Sequence, residues 1–121
     1  MITSAQIHDF FDQTRRLKEE GRARFDIDEV CRWSYFFVDT DRKKLTQAGK
    51  HLAKQGYEII GFLDEPTPED DDQKTLYLRF DKIEQHTPDS LLARNAELYK
   101  LAADFGLEDY DGMDVGAITG P

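Results

Sequence analysis

Apolar positions along the chain fall into blocks, and the period changes from block to block. Ile7, Phe10, Phe11 and Leu17 recur at the spacing of one helical face. Ser4 offers a capping hydroxyl and Gly21 a residue that tolerates positive φ, so a first helix is expected over about residues 4–20. Arg22 to Glu29 is polar and aperiodic, a connection. Val30 to Val38 is dense in aromatic and β-branched residues, with Trp33, Tyr35 and Phe37 on one side and Ser34, Phe36 and Val38 on the other. Because both sides are apolar, this strand is expected to be central and covered on both faces.

Asp39, Thr40 or Asp41 can cap a second helix bearing Leu45, Ala48, Leu52 and Ala53, which Gly56 ends. Tyr57 to Leu63 reads as a second strand. Asp64 to Gln73 holds two prolines and six acids and reads as a solvated loop. Thr75 to Ile83 alternates Leu76, Leu78 and Phe80 with Tyr77, Arg79 and Asp81, a third strand. Thr87-Pro88 starts a last helix, with a capping hydroxyl before a proline at the first helical position. Leu91, Leu98, Leu101, Ala102 and Phe105 form its apolar face and Gly106 stops it. A short strand or extended tail follows from about Leu107 to Val115.

After the first helix the order is β-α-β-β-α-β. Two βα units joined by a loop predict an α+β, ferredoxin-like sandwich, a four-stranded antiparallel sheet with helices on one face. The extra N-terminal helix is expected over the other face, which would account for a first strand apolar on both sides. At 121 residues the chain is expected to form one domain, residues 1–121, with its core over about 30–116.

Charge narrows the partners. The net charge is −9, from 25 acids against 16 bases. That balance disfavours phosphate backbones, which bind through Lys and Arg with counterion release, and suits basic protein partners. Cys31 is the only cysteine, which excludes an intrachain disulfide, and its apolar setting reads as core. The N-terminus lacks a basic segment followed by an apolar run, and no apolar stretch nears the ~20 residues of a membrane span. The expected compartment is the cytoplasm.

Motifs for chemistry are sparse. His8, His51 and His86 are scattered, each expected at a surface or helix end, and none makes a metal-spaced pair, so no metal or cofactor is expected. The acids Asp64, Glu65, Glu69, Asp70, Asp71 and Asp72 lack the alternation and dividing glycine of a calcium loop. They read as solvated loop or as a contact surface for a basic partner. Tyr110-Asp111-Gly112-Met113-Asp114 carries an Asp-Gly turn signal, read as a turn or strand end anchored by Tyr110. With no glycine-rich phosphate loop and no nucleophile motif, no enzyme is expected. Trp33, Tyr35, Phe37, Tyr77 and Arg79 could form an RNA-stacking platform on such a sheet. The net charge and the missing basic-aromatic signature on the third strand argue against direct nucleic-acid binding.

Three segments resemble the ribonuclease E inhibitor B family, also called regulator of ribonuclease activity B. They are KKLTQAGKHLAKQGYEI in the second helix and strand, DSLLARNAELYKLAADFGLE in the last helix, and the closing YDGMDVG with its Tyr110-Asp111-Gly112. The resemblance covers about residues 30 to 116. It implies a variant ferredoxin-like fold and a protein that binds ribonuclease E and dampens RNA cleavage by contact alone. Well-known members carry a long acidic C-terminal tail, whereas here the acids cluster in the 64–72 loop. The reading is therefore a non-catalytic regulator contacting ribonuclease E or a related basic protein. Its expected contact residues are Asp64, Glu65, Glu69, Asp70, Asp71 and Asp72, with Tyr110, Asp111 and Asp114 as a second patch. The alternative is a small-ligand or effector-binding ferredoxin-like domain.

Overall fold

In the computed structural model, residues 1–63 and 75–119 are described. The elements in chain order are α1 (Ser4–Glu19), β1 (Cys31–Asp39), α2 (Arg42–Lys54), β2 (Glu58–Leu63), β3 (Leu76–Glu84), α3 (Pro88–Asp104) and β4 (Asp109–Gly116). Local chemistry sets their bounds. Thr3, not Ser4, caps α1, because its hydroxyl accepts from Gln6 N while the Gln6 side chain returns to Thr3 N, a reciprocal capping box. Of the three candidates before α2, Asp41 is the cap and accepts from Lys43 N. Thr87 caps α3, with Pro88 at the first helical position where no N–H is needed.

The strands form one antiparallel sheet in the order β2-β3-β1-β4, which is the ferredoxin-like arrangement. As the two-sided pattern implied, β1 is central, between β3 and β4. Cross-strand register sorts the side chains. Tyr35 lies opposite Phe80 and Met113, and Phe37 opposite Leu78 and Tyr110. These residues face the helices, where Leu45, Ala48 and Leu52 of α2 and Leu91, Leu98 and Ala102 of α3 complete the core. Aromatic rings carry much of it: Phe37 and Phe80 lie 4.8 Å apart, and Tyr99 stands edge-on to Tyr110 at 5.0 Å.

One expectation is overturned. α1 does not roof the other sheet face but joins the helical layer. Phe10 and Phe11 meet the Trp33 ring, and Ile2 N donates to the Tyr99 hydroxyl of α3. Leu17, placed on the apolar face by its spacing, is exposed, as is Ala53 of α2. The connection after α1 is pinned back onto it: Arg15 forks onto Asp28 at 2.7 and 2.9 Å, and Lys18 reaches Asp26 at 3.0 Å. These ties seat Ile27 in the core, a burial that an aperiodic stretch did not announce. The buried Cys31 thiol donates to Asp26 O, and burial pushes its pKa up, as a core thiol requires.

Both edge strands carry a bulge. In β2 the register shifts between Ile59 and Gly61, and in β4 Gly112 pairs with Phe36 while Tyr110 pairs with Phe37, leaving Asp111 as the extra residue. Gly112 sits at φ 117°, where a side chain is strained. The Asp-Gly signal therefore marks a bulge inside a strand and not a turn. The bulge has a packing purpose: it lets Tyr110 and Met113, three residues apart, both face the helices.

Candidate functional site

The expected contact residues fall in two places. Asp64, Glu65, Glu69, Asp70, Asp71 and Asp72 lie outside the described residues. Their chain leaves the sheet at Leu63 and returns at Leu76, and that end of the sheet is described. Leu63 pairs with Tyr77, Tyr77 with Val38 and Val38 with Asp109, so a row of four strands, about 14 Å across at the usual strand spacing, runs from Leu63 to β4. Asp41, Glu108 and Asp109 are exposed at this end. Asp39 beside them is buried and accepts from Thr40 N and Asp41 N.

The second patch is not one surface. Tyr110 is buried, 1% exposed, and its hydroxyl donates to Asn95 Oδ1 at 2.6 Å. Burial first, then neighbouring Tyr99, pushes the phenol far above its ordinary pKa. It is a core anchor and not a docking side chain. Asp111 projects at the bulge, and Asp114 lies on the outer sheet face opposite Ser34. Asp109 and Asp114 each accept from the next residue's amide, Tyr110 N and Val115 N, both at 2.8 Å. Occupied amides, charge and a bulge make β4 a poor template for strand addition.

Two polar clusters were not singled out by the sequence. Glu84, His86 and Arg94 meet where β3 ends and α3 begins. Glu84 Oε2 accepts from the Tyr35 hydroxyl at 2.6 Å and lies 3.0 Å from His86 Nε2, while Oε1 accepts from Arg94 Nη2 at 2.8 Å. His86 is 5% exposed, its other nitrogen 2.8 Å from Ser90 Oγ, so it does sit at a helix end but not at the surface. Burial pushes the Glu84 carboxyl up, but hydrogen bonds from His86 and Tyr35 and the Arg94 charge outweigh it and hold it below the usual range. Tyr35 is pushed far above its ordinary range, by burial first and then by its bond to Glu84. Through Tyr35, His86 and Arg94, Glu84 ties β1, β3 and α3 together.

The second cluster lies on the outer face. Asp81, 1% exposed, accepts the Arg79 fork through Nε and Nη2, both at 3.0 Å, and Arg32 Nη1, also at 3.0 Å. Burial alone would raise the Asp81 carboxyl, but bonds from Arg79, Ser34 and Arg32 hold it low. Tyr77 and Arg79 lie on this face, whereas Trp33, Tyr35 and Phe37 are fully buried on the other, so the five do not make one stacking platform.

Among the described residues no group of three or more His, Cys, Asp or Glu is placed to hold a metal ion, and no helix is long and apolar enough to cross a membrane. No curated protein matches the chain. A family profile does: Regulator of ribonuclease activity B, RraB, over residues 12–115, which takes in β1 to β3, β4 as far as Val115 with its bulged Tyr110-Asp111-Gly112, and the second half of α1. With that match spanning well over half of its length, the chain belongs to the RraB family of regulators of ribonuclease activity.

Proposed function

We propose that this protein binds ribonuclease E, or a related basic protein, and modulates RNA degradation without chemistry of its own. The observation that carries the reading is the family match across the whole sheet. Electrostatics supports it. The chain carries a net charge of −9, and six acids lie in the sequence between Leu63 and Leu76, which border the end of the sheet where Asp41 and Asp109 are exposed. Such a surface selects basic partners and raises association rate more than it adds affinity. Asp111 and Asp114 would extend the contact along β4, and Tyr110 would serve it only by holding the bulge in place. The protein is expected to act as a single domain in the cytoplasm.

The test is RNA cleavage by purified ribonuclease E with increasing amounts of the protein. Saturable slowing is expected, relieved when the six loop acids are changed to Asn and Gln. Cleavage unchanged at a large molar excess would overturn the reading.

A further inference from the structure

We propose that the cleft on the outer face of the sheet is a binding site for a small aromatic phosphate of mononucleotide size. The cleft, about 860 Å³, runs from α1 and the 22–25 connection past the end of β4 onto the sheet. That volume lies in the range of small-molecule sites. Its wall is apolar in one part, with Phe10 and Phe25, and its lining includes the half-exposed Phe36 of β1. Four arginines line it, Arg22, Arg24, Arg32 and Arg79, against one carboxylate, Asp114. Glu58 and Asp81 answer Arg32 and Arg79, and Glu20 lies 3.5 Å from Arg22, so of the four only Arg24 makes no ion pair among the described residues.

The two inner arginines are preorganised. Arg79 gives two of its five N–H groups to Asp81, and Arg32 gives three of its five to Asp81, Glu58 and Ile118 O. Each guanidinium is thereby fixed, and among the described residues three donors on Arg79 and two on Arg32 have no partner. A phosphate, with three oxygens and nearly two charges, uses such a set more fully than a carboxylate does. Flat apolar surface completes the match, since a ring can lie against Phe36 or Phe25 with a guanidinium at its face. A long nucleic-acid strand is disfavoured by Asp109, Asp111 and Asp114 along the adjoining edge, and an added peptide strand by the occupied amides of Tyr110 and Val115. A compact monomeric anion remains.

Gly116 supplies a test that leaves the arginines intact. It pairs with Arg32 and so shares its face, and a Cβ built there meets nothing within 4 Å. Gly116→Phe should fill the cleft and spare the fold. Arg24→Gln removes an exposed cation that makes no ion pair among the described residues. Adenosine 5′-monophosphate, adenosine and inorganic phosphate are titrated by calorimetry into the full chain at physiological salt. The monophosphate is expected to bind with a Kd below about 1 mM, with adenosine and phosphate each about tenfold weaker or more. Gly116→Phe should weaken it at least about tenfold and Arg24→Gln about threefold, with melting temperatures unchanged. Absence of saturable binding, phosphate binding as tightly as the monophosphate, or full affinity in both variants would each overturn the proposal. If Gly116→Phe unfolds, Arg24→Gln decides alone. The cleft shares only Asp114 with the proposed ribonuclease contact, and neither variant touches that residue, so its failure leaves the ribonuclease reading standing.

Discussion

Replacing Glu84 tests whether the buried polar cluster holds the fold together. Glu84→Ala removes the acceptor of the Tyr35 hydroxyl, the partner 3.0 Å from His86 Nε2 and the carboxylate paired with Arg94. Arg94 is 20% exposed and its Nε already has no partner among the described residues, so its remaining ion pair would be Glu97 at 3.6 Å. Breaking a fully buried pair costs about 3–5 kcal/mol. Partial exposure of Glu84 and Arg94 discounts this, and about 2–3 kcal/mol is expected for Ala. Glu84→Gln keeps the shape and the Tyr35 bond and should cost about 1–2 kcal/mol, the loss of charge-assisted bonds. Urea unfolding at pH 7 measures both, and each kcal/mol should appear as roughly 4 °C in a thermal scan. The acid limb adds a second reading. Glu84 titrates below its ordinary value in the folded protein, so the stability it provides is complete above the unfolded carboxyl's pKa, about 4.3, and is lost as pH falls through the lower folded value. The gap between wild type and Glu84→Gln should therefore close in acid. An Ala variant within about 0.5 kcal/mol of wild type, the scatter of ordinary surface substitutions, would refute the reasoning.

Other outcomes follow from the same geometry. Gly112→Ala places a side chain at φ 117° and should cost about 1–3 kcal/mol by denaturant unfolding, since the nearest atom, Ile2 Cδ1 at 3.6 Å, is an ordinary contact and only the backbone objects. Tyr110→Phe leaves Asn95 Oδ1 without its donor and should cost about 1–2 kcal/mol, with affinity for ribonuclease E unchanged if Tyr110 is only an anchor. Asp81→Asn weakens the support of both Arg32 and Arg79. Because Asp81 also titrates low, its contribution is likewise complete above the unfolded pKa, about 3.9, and lost in acid, so that the variant's stability should vary less with pH there.

Much of the fold was legible because periodicity and punctuation agreed. Thr87-Pro88 and Gly106 bracketed α3, and the two apolar faces of β1 placed it at the centre of the sheet. What failed was reading the partner of each face. A pattern shows that Phe10 and Phe11 are buried but not that Trp33 lies against them, so periodicity alone does not say on which side of the sheet α1 packs. The Asp-Gly pair was seen, but a bulge and a turn share that signal, and only the register with Phe36 and Phe37 separates them. His86, Glu84 and Arg94 escaped because the last residue of β3, a residue of the connection and one inside α3 meet around the Tyr35 hydroxyl only after folding. The alternation of Arg79 and Asp81, with Arg32 on the facing strand, was the available hint of the outer cluster. Same-face opposite charges on neighbouring strands seldom stay apart.

The central claim is most directly tested by titrating the protein into full-length ribonuclease E by calorimetry, at low and at physiological salt. Saturable binding that weakens as salt rises, and weakens again when Asp64, Glu65, Glu69, Asp70, Asp71 and Asp72 are neutralised, is the predicted result. Absence of binding at either salt would contradict it, leaving the family fold without the family's partner.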